Sequence, residues 1–172
     1  MAEQTSNGHT PPAQQPNVQA RIVAQYVKDM SFENPNAERM LEGPGENPNL
    51  KLEINVNARR TASGLYETAI DFKANASNAT GPIYILEVVY AAMFKIENMP
   101  QQALEPFLLV NCPSFIFPFL RRLVSDTTRE GGFPPLNIDP IDFAALYVHR
   151  QQQSQKDKAV AGVPTSNDPT SA

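Results

Sequence analysis

Hydrophobic and polar residues alternate in two neighbouring stretches of the chain, NLKLEINVNARR (49–60) and LYETAIDFKANAS (65–77). A period of two places the apolar side chains on one face of a strand and the polar ones on the other. The pattern therefore predicts two β-strands, joined by a hairpin through Thr61 to Gly64. The apolar positions of the two strands are Leu50, Leu52, Ile54, Val56, Ile70, Phe72 and Ala74.

One further strand is predicted before this pair and one after it. VQARIVAQYVKD (18–29) is rich in β-branched and aromatic residues, and GPIYILEVVYAAMFKI (81–96) is apolar on both faces except at Glu87. A strand that is apolar on both faces needs to be covered on both. The segment SFENPNAERMLEGPGENPN (31–49), rich in Asn, Pro and Gly, predicts a long irregular crossover between the first and second strands.

Helical patterns follow the strands. We expect a short helix from Gln101 to Val110 and a second from Cys112 or Pro113 that Pro118 bends or breaks and that ends at Gly131-Gly132. After an extended link, IDFAALYVHRQQQ opens a final helix at Asp139 or Pro140. Strands first and helices last predict an α+β fold, a four-stranded antiparallel sheet with two C-terminal helices packed on one face. The inward positions of the final helix are Ile141, Phe143 or Ala144, Leu146 and Tyr147.

Composition sets the expected domain boundaries within the 172 residues. Residues 1–17 contain no branched aliphatic or aromatic side chain and residues 151–172 are similarly polar, so both are expected to be disordered tails around a domain over 18–150. No basic segment followed by an apolar stretch begins the chain, so we expect no signal peptide, and no apolar run reaches the roughly 20 residues of a membrane span. These features predict a cytoplasmic protein without membrane insertion.

Charge and reactive residues argue against several classes of function. The formal net charge of -4 disfavours nucleic-acid binding and favours partners with basic surfaces. His9 and His149 lie far apart, and Cys112 precedes a proline in an apolar segment that does not favour a thiolate. We therefore predict neither catalysis nor a metal site nor a cofactor. An oligomeric α+β domain that binds a small ligand without catalysis is the alternative.

The segment NCPSFIFPFLRR (111–122) predicts self-association. Its large apolar side chains point around most of a helix, more than one sheet face can cover. An exposed apolar patch larger than a few hundred Å² usually marks an interface. The side chains concerned are Phe115, Ile116, Phe117, Phe119 and Leu120.

Several motifs in the second half of the chain resemble the SecB family of bacterial protein-export chaperones. In order they are a Cys-Pro, a Phe-Pro, a Gly-Phe-Pro, a Leu-Asn-Ile-Asp-Pro and a Phe-Ala-Ala-Leu, and YVKDMSFENPNA and IYILEV resemble earlier family motifs. The likeness extends over residues 18–153. It implies a homotetramer, a dimer of dimers in which the longer helices lie between two composite sheets. The implied oligomer interface contains Cys112, Phe115, Ile116, Phe117, Phe119 and Leu120.

The resemblance also implies a function and its sites. Family members bind non-native precursor proteins, keep them competent for translocation and deliver them to SecA, the motor ATPase of the translocase. The residues that match the SecA-docking face are Asp29, Glu33, Ile85 and Glu87. The residues that match the substrate groove are Leu50, Leu52, Ile54, Tyr84, Leu86, Val88, Tyr90 and Tyr147. Ordinary core packing is the alternative for the groove residues, and protection of the sheet against aggregation is the alternative for Glu87.

The chain departs from the family pattern in two places. It has no tryptophan, whereas the family commonly carries an aromatic residue, often tryptophan, in the crossover. It also has His149-Arg150 where aromatic and aliphatic residues are frequent in the family.

Overall fold

Four antiparallel strands form one sheet in the computed structural model, which describes residues 17–38, 48–79 and 81–161. They are β1 (Gln19–Glu33), β2 (Asn49–Arg60), β3 (Tyr66–Asn78) and β4 (Gly81–Glu97). The strand order is β1-β4-β3-β2, so that β1 and β2 are the two edges. The predicted four-stranded antiparallel sheet is confirmed.

The hairpin between β2 and β3 lies where the alternation predicts it. Arg60 pairs with Tyr66, and the pairing continues without a register shift to Asn49 and Ser77. Gly64 has a φ of 78°, a left-handed conformation that glycine adopts without a steric penalty. The tight turn fixes the register, which decides the face on which each side chain of both strands lies.

The helices follow the sheet as α1 (Gln101–Pro106), a π-helical turn (Phe107–Asn111), α2 (Cys112–Glu130) and α3 (Phe143–Ala161). The first three join into one helical run, Gln101–Glu130. The expectation that Pro118 breaks this run is wrong. Pro118 has no N–H for the carbonyl of Ser114, but both residues are exposed, so water can hydrogen-bond that carbonyl.

The π-helical turn accounts for the backbone groups around Pro113. The Cys112 N–H donates to the Phe107 carbonyl, five residues back, and Pro113 has no N–H to offer the next carbonyl. The carbonyl of Leu108 accepts instead a hydrogen bond from the Thr68 hydroxyl of β3, at 3.1 Å. The turn therefore ties the helical run to the centre of the sheet through a buried polar contact.

The last helix begins and ends later than the sequence predicts. The Ala145 N–H donates to the Asp142 carboxylate at 2.9 Å, so Asp142 caps α3 and the helix begins at Phe143 instead of Asp139 or Pro140. The helix continues to Ala161, past the boundary predicted at residue 150, through Gln, Lys and Ala residues of good helix propensity. Residues 1–16 and 162–172, the greater part of the two predicted tails, lie outside the described residues.

The helices cover one face of the sheet, which we call the helix face; the opposite face is the open face. Alternate residues of β3, from Thr68 to Ala76, lie on the helix face and are buried. The most buried large side chains of the core on this face, all at most 2% exposed, include Ile70, Phe72, Leu86, Val88, Ile116, Leu120 and Val124. On β1, by contrast, the helix-face side chains Ile22, Val27 and Met30 stay 41–45% exposed. The single chain thus leaves apolar surface uncovered along one edge of its sheet.

Within the described part of the chain, one helical run, Gln101–Glu130, is long and apolar enough to cross a membrane. This test considers length and composition only. The run packs Ile116, Leu120 and Val124 into the core against the sheet, as the core helix of a globular domain does.

Candidate functional site

The four residues that match the SecA-docking face lie together on the open face. In the pairing of β1 with β4, Asp29 is opposite Val89, Ser31 is opposite Glu87, and Glu33 is opposite Ile85. Directly paired residues share a face, so Asp29, Glu33, Ile85 and Glu87 form one patch across two strands. The predicted position of Glu87 on the wet face is confirmed. We call these four residues the acidic patch.

A lysine of the neighbouring strand adjoins the acidic patch. Lys73 of β3 pairs in register with Glu87, and its ammonium lies 2.7 Å from the Glu87 carboxylate. The hydrogen bond to Glu87 and the negative charge of that carboxylate raise the pKa of Lys73. Both side chains are about half exposed, so water and salt weaken this attraction. A cationic partner at Glu87 has to compete with Lys73.

A second charged cluster on the open face is buried. Glu67 of β3 is only 3% exposed, and it accepts hydrogen bonds from the Tyr26 hydroxyl at 2.6 Å, from Lys28 at 3.2 Å and from the Arg59 guanidinium. Burial opposes ionisation of this carboxyl, but the hydrogen bonds outweigh it and lower the pKa of Glu67 to about 2. Burial, with the hydrogen bond to Glu67, raises the pKa of Tyr26 to about 12. The cluster connects β1, β2 and β3.

An apolar surface runs along the helix face of β2. Leu50 and Leu52 are 38% and 43% exposed, Ile54 is half-buried, and Val56 is buried. At Val56 the surface opens into a cavity of about 420 Å³ between β2, the π-helical turn and α3. Tyr147 lines this cavity with Leu109 and Leu146. We call Leu50, Leu52, Ile54 and Tyr147 the β2 surface. They are the predicted groove residues that are partly exposed on β2 or that line the cavity.

The predicted groove residues of β4 occupy a different environment. β3 separates β2 from β4, and the four β4 side chains belong to the core cluster beneath the helices. None is more than 8% exposed, so in this structure they are core and cannot contact a ligand. These residues are Tyr84, Leu86, Val88 and Tyr90.

The predicted interface residues divide into two sets. Phe115 and Phe119 are 53% and 47% exposed on α2. The remaining residues are at most 5% exposed and belong to the chain's own core cluster. They are Cys112, Ile116, Phe117 and Leu120. The excess of apolar surface on α2 is therefore smaller than the sequence suggests, and it is confined to two phenylalanines.

The single cysteine of the chain, Cys112, is buried in the core. Burial raises the pKa of the Cys112 thiol to about 12, so the thiol stays protonated at neutral pH. Among the described residues, no group of three or more His, Cys, Asp or Glu side chains is placed to hold a metal ion. The arrangement offers an apolar strip and a charged face, which suit binding.

The family model of SecB, described as preprotein translocase subunit SecB, matches residues 13–154. The chain belongs to the SecB family. The family assignment covers the whole sheet and most of the helical part, and it supports a chaperone role in protein export.

Relatives of similar length agree with this assignment. The protein-export protein SecB of Xanthobacter autotrophicus is 44% identical over 149 residues, which are 87% of this chain and 94% of that protein. The SecB of Dinoroseobacter shibae is 44% identical over 173 residues, covering 96% of this chain and 99% of its own. The SecB of Parvibaculum lavamentivorans is 45% identical over 146 residues, 85% and 86% of the two chains.

A solved structure shows the same fold at low sequence identity. It is a SecB-like chaperone of Mycobacterium tuberculosis in complex with a peptide from an antitoxin, with a TM-score of 0.58 and 16% identity. The match covers 71% of this chain and 90% of that chain. At this identity the likeness supports the α+β fold and no finer conclusion.

Three contacts of the structure were not predicted from the sequence. Arg59 and Glu67 are register partners across the hairpin, so a count outward from the turn at Thr61 to Gly64 would have paired them. The same count extended to β4 would have placed Lys73 beside Glu87. The hydrogen bond from Arg150 to the Val56 carbonyl, at 2.7 Å, joins residues 94 positions apart and has no local signal in the sequence.

Proposed function

We propose that this SecB-family chain binds non-native precursor proteins in the cytoplasm, keeps them competent for translocation and delivers them to SecA. The β2 surface carries the proposal. It is an apolar strip on an edge strand, beside a strand edge that no other strand of the described residues pairs with and a cavity with Tyr147 in its wall. Such a surface accepts exposed apolar side chains and extended backbone without selecting a sequence.

The accessible part of the proposed binding surface is narrower than the family pattern suggests. Leu50 and Leu52 offer about 40% of their surface to solvent, whereas the β4 positions are closed by the helices. Fully burying one large aliphatic side chain stabilises a complex by about 1.5–3 kcal/mol, so a partly exposed leucine contributes less. Retention of a long precursor therefore requires several such strips acting together, and an oligomer supplies them.

We infer that the chain assembles as a homotetramer, a dimer of dimers. The exposed side chains Ile22, Val27 and Met30 on the helix face of β1 lie beyond the cover of the chain's own helices. Phe115 and Phe119 extend the uncovered apolar surface onto α2. A second copy that joins at the β1 edge would continue the sheet, and helices packed between two such sheets would cover the phenylalanines.

The acidic patch is the proposed contact for SecA. It lies on the open face of the sheet, whereas the β2 surface lies on the helix face. Precursor and SecA would therefore approach the sheet from different sides. A tetramer of chains with a formal charge of -4 would attract basic segments and speed their encounter at low salt. The contact should therefore weaken as the salt concentration rises.

The test of the proposed function is the refolding of a slow-folding precursor in the presence of this protein. We expect the wild-type protein to slow refolding and Leu52→Asp to lose at least about a factor of ten in affinity for the precursor, because binding would desolvate the new carboxylate. Asn75→Asp is the matched control, since it adds the same charge to the open face of the neighbouring strand β3, opposite Lys51, and should change nothing. A domain that only binds small ligands would leave the refolding rate unchanged with all three proteins.

A further inference from the structure

Among the described residues no strand pairs with the outer edge of β2, and a side chain from α3 occupies one point of that edge. The guanidinium of Arg150 donates a hydrogen bond to the carbonyl of Val56 at 2.7 Å. In an antiparallel strand, alternate residues direct both backbone groups away from the paired neighbour. Because the Val56 carbonyl is reached from outside the sheet, Leu50, Leu52 and Ile54 direct their backbone N–H and C=O groups to the same free edge.

This edge coincides with the β2 surface. The side chains of Leu50 and Leu52 are exposed on the helix face, and the backbone groups of the same residues lie along the edge. An extended segment that pairs with β2 would satisfy its own backbone there and place alternate side chains beside the leucines. At Val56 it would meet the Arg150 guanidinium, which occupies the carbonyl that the next hydrogen bond requires.

We infer that Arg150 is a specificity-determining residue that ends the strand-pairing edge of β2 and so limits the length of extended precursor segment that β2 accepts. The inference rests on the proposed function, since it assumes that precursor segments bind along β2. The pairing region runs from Asn49 to Asn55, and beyond Arg150 the strand continues to Arg60 without taking part. Arginine suits this role because it is charged at every physiological pH and its planar group presents several N–H donors.

The test compares two synthetic extended peptides of alternating apolar and polar residues, about six and about ten residues long. With wild-type protein, fluorescence anisotropy should give nearly equal affinities for the two, because the additional residues cannot pair beyond Val56. Arg150→Met keeps an apolar stem and removes the donors. It should bind the longer peptide about tenfold more tightly than the shorter one, as one or two additional hydrogen bonds would produce. Arg150→Lys keeps a charged donor and should behave as the wild type does.

Two controls separate edge pairing from a change of charge. Lys156→Met removes a positive charge from the exposed surface of α3 and should leave the length dependence as in wild type. A longer peptide methylated on alternate backbone nitrogens should lose the tenfold gain on Arg150→Met, because it cannot donate to the strand edge. If the protein still slows precursor refolding, either of two results would overturn the inference. One is the same dependence of affinity on peptide length in wild type and Arg150→Met; the other is a gain in affinity that survives backbone methylation. A wild-type protein that neither slows refolding nor binds either peptide would overturn the proposed function and the inference together.

Discussion

Glu67 shows how a polar residue on the open face stabilises the fold. Its pKa of about 2 lies below the usual 4.5 of a glutamate, so the folded state favours the ionised form. Such a group stabilises the protein at pH values above about 4.5, and this contribution is lost as the pH falls towards 2. The hydrogen bonds from Tyr26, Lys28 and Arg59 are the cause, and they hold three strands together.

We expect Glu67→Gln to lower the free energy of unfolding at neutral pH by about 1–3 kcal/mol, because it removes the charge of a buried carboxylate to which three side chains donate. Urea denaturation from pH 7 to pH 2 measures the effect. The difference between wild type and variant should shrink as the pH falls. Glu53→Gln is the control, since Glu53 is half exposed and pairs only with exposed Lys51 among the contacts described, so its effect should be small at every pH. A difference that grows towards low pH would contradict the role assigned to Glu67.

The acidic patch makes a separate prediction for the contact with SecA. Glu87→Lys reverses a charge at the centre of the patch and places a second lysine opposite Lys73. We expect weaker SecA binding, with a reduced dependence on salt, and unchanged retention of precursors. Titration with SecA at low and high salt measures both quantities. Glu97→Lys makes the same charge reversal on the open face at the far end of β4, away from the patch, and should bind SecA as the wild type does. Loss of precursor retention with SecA binding intact would show that the two faces are assigned the wrong way round.

The strands and helices were more predictable from the sequence than the connections between them. All four strands follow from alternation or from β-branched and aromatic content, since sheet burial acts on every second residue and leaves a local trace. The helical run was predicted as two pieces because proline removes a local hydrogen bond. The two pieces join through the π-helical turn, and the Leu108 carbonyl in that turn accepts a hydrogen bond from the Thr68 hydroxyl of β3, a contact that no local pattern reveals.

The junction after α2 depends on one close contact. A Cβ atom on Gly131 would lie 2.3 Å from Cζ of Phe32, too close for two carbon atoms. Phe32 in turn stacks on Tyr84, with ring centroids 5.8 Å apart, and packs against Phe133. Glycine at this position therefore lets the end of β1 pack onto the start of the link that follows α2. Its φ of -71° is ordinary, so the requirement comes from space and not from backbone conformation.

Gly131→Ala should therefore lower the free energy of unfolding by about 1–3 kcal/mol, the usual cost of overpacking. Chemical denaturation of a double-mutant cycle with Phe32→Ala tests the cause. In the Phe32→Ala background, Gly131→Ala should cost almost nothing, because the ring that it would meet is gone. An equal cost in both backgrounds would show that the close contact is not what excludes alanine.

At the scale of the whole molecule, the sequence predicted the fold class and the family but overestimated the uncovered surface. The pattern of NCPSFIFPFLRR shows that apolar side chains surround the helix, yet it does not show how much of the helix surface the rest of the chain covers. Ile116 and Leu120 are fully buried within the chain, and Phe115 and Phe119 are not. The uncovered surface on β1 was not predicted, because it depends on where the helices lie across the sheet. The four residues of the acidic patch were grouped from the family resemblance, because alternation places each residue on a face of its own strand but does not give the register between strands; the pairing of β1 with β4 places them on one face.

We propose that one chain exposes apolar surface that other copies cover and precursors use. Light scattering or native mass spectrometry of the purified protein tests it most directly. We expect a particle of about four times the 19.0 kDa chain mass, and smaller species for Phe115→Ser combined with Phe119→Ser, which removes the exposed rings of α2. A wild-type protein that remains a stable 19.0 kDa monomer in dilute solution would contradict the account.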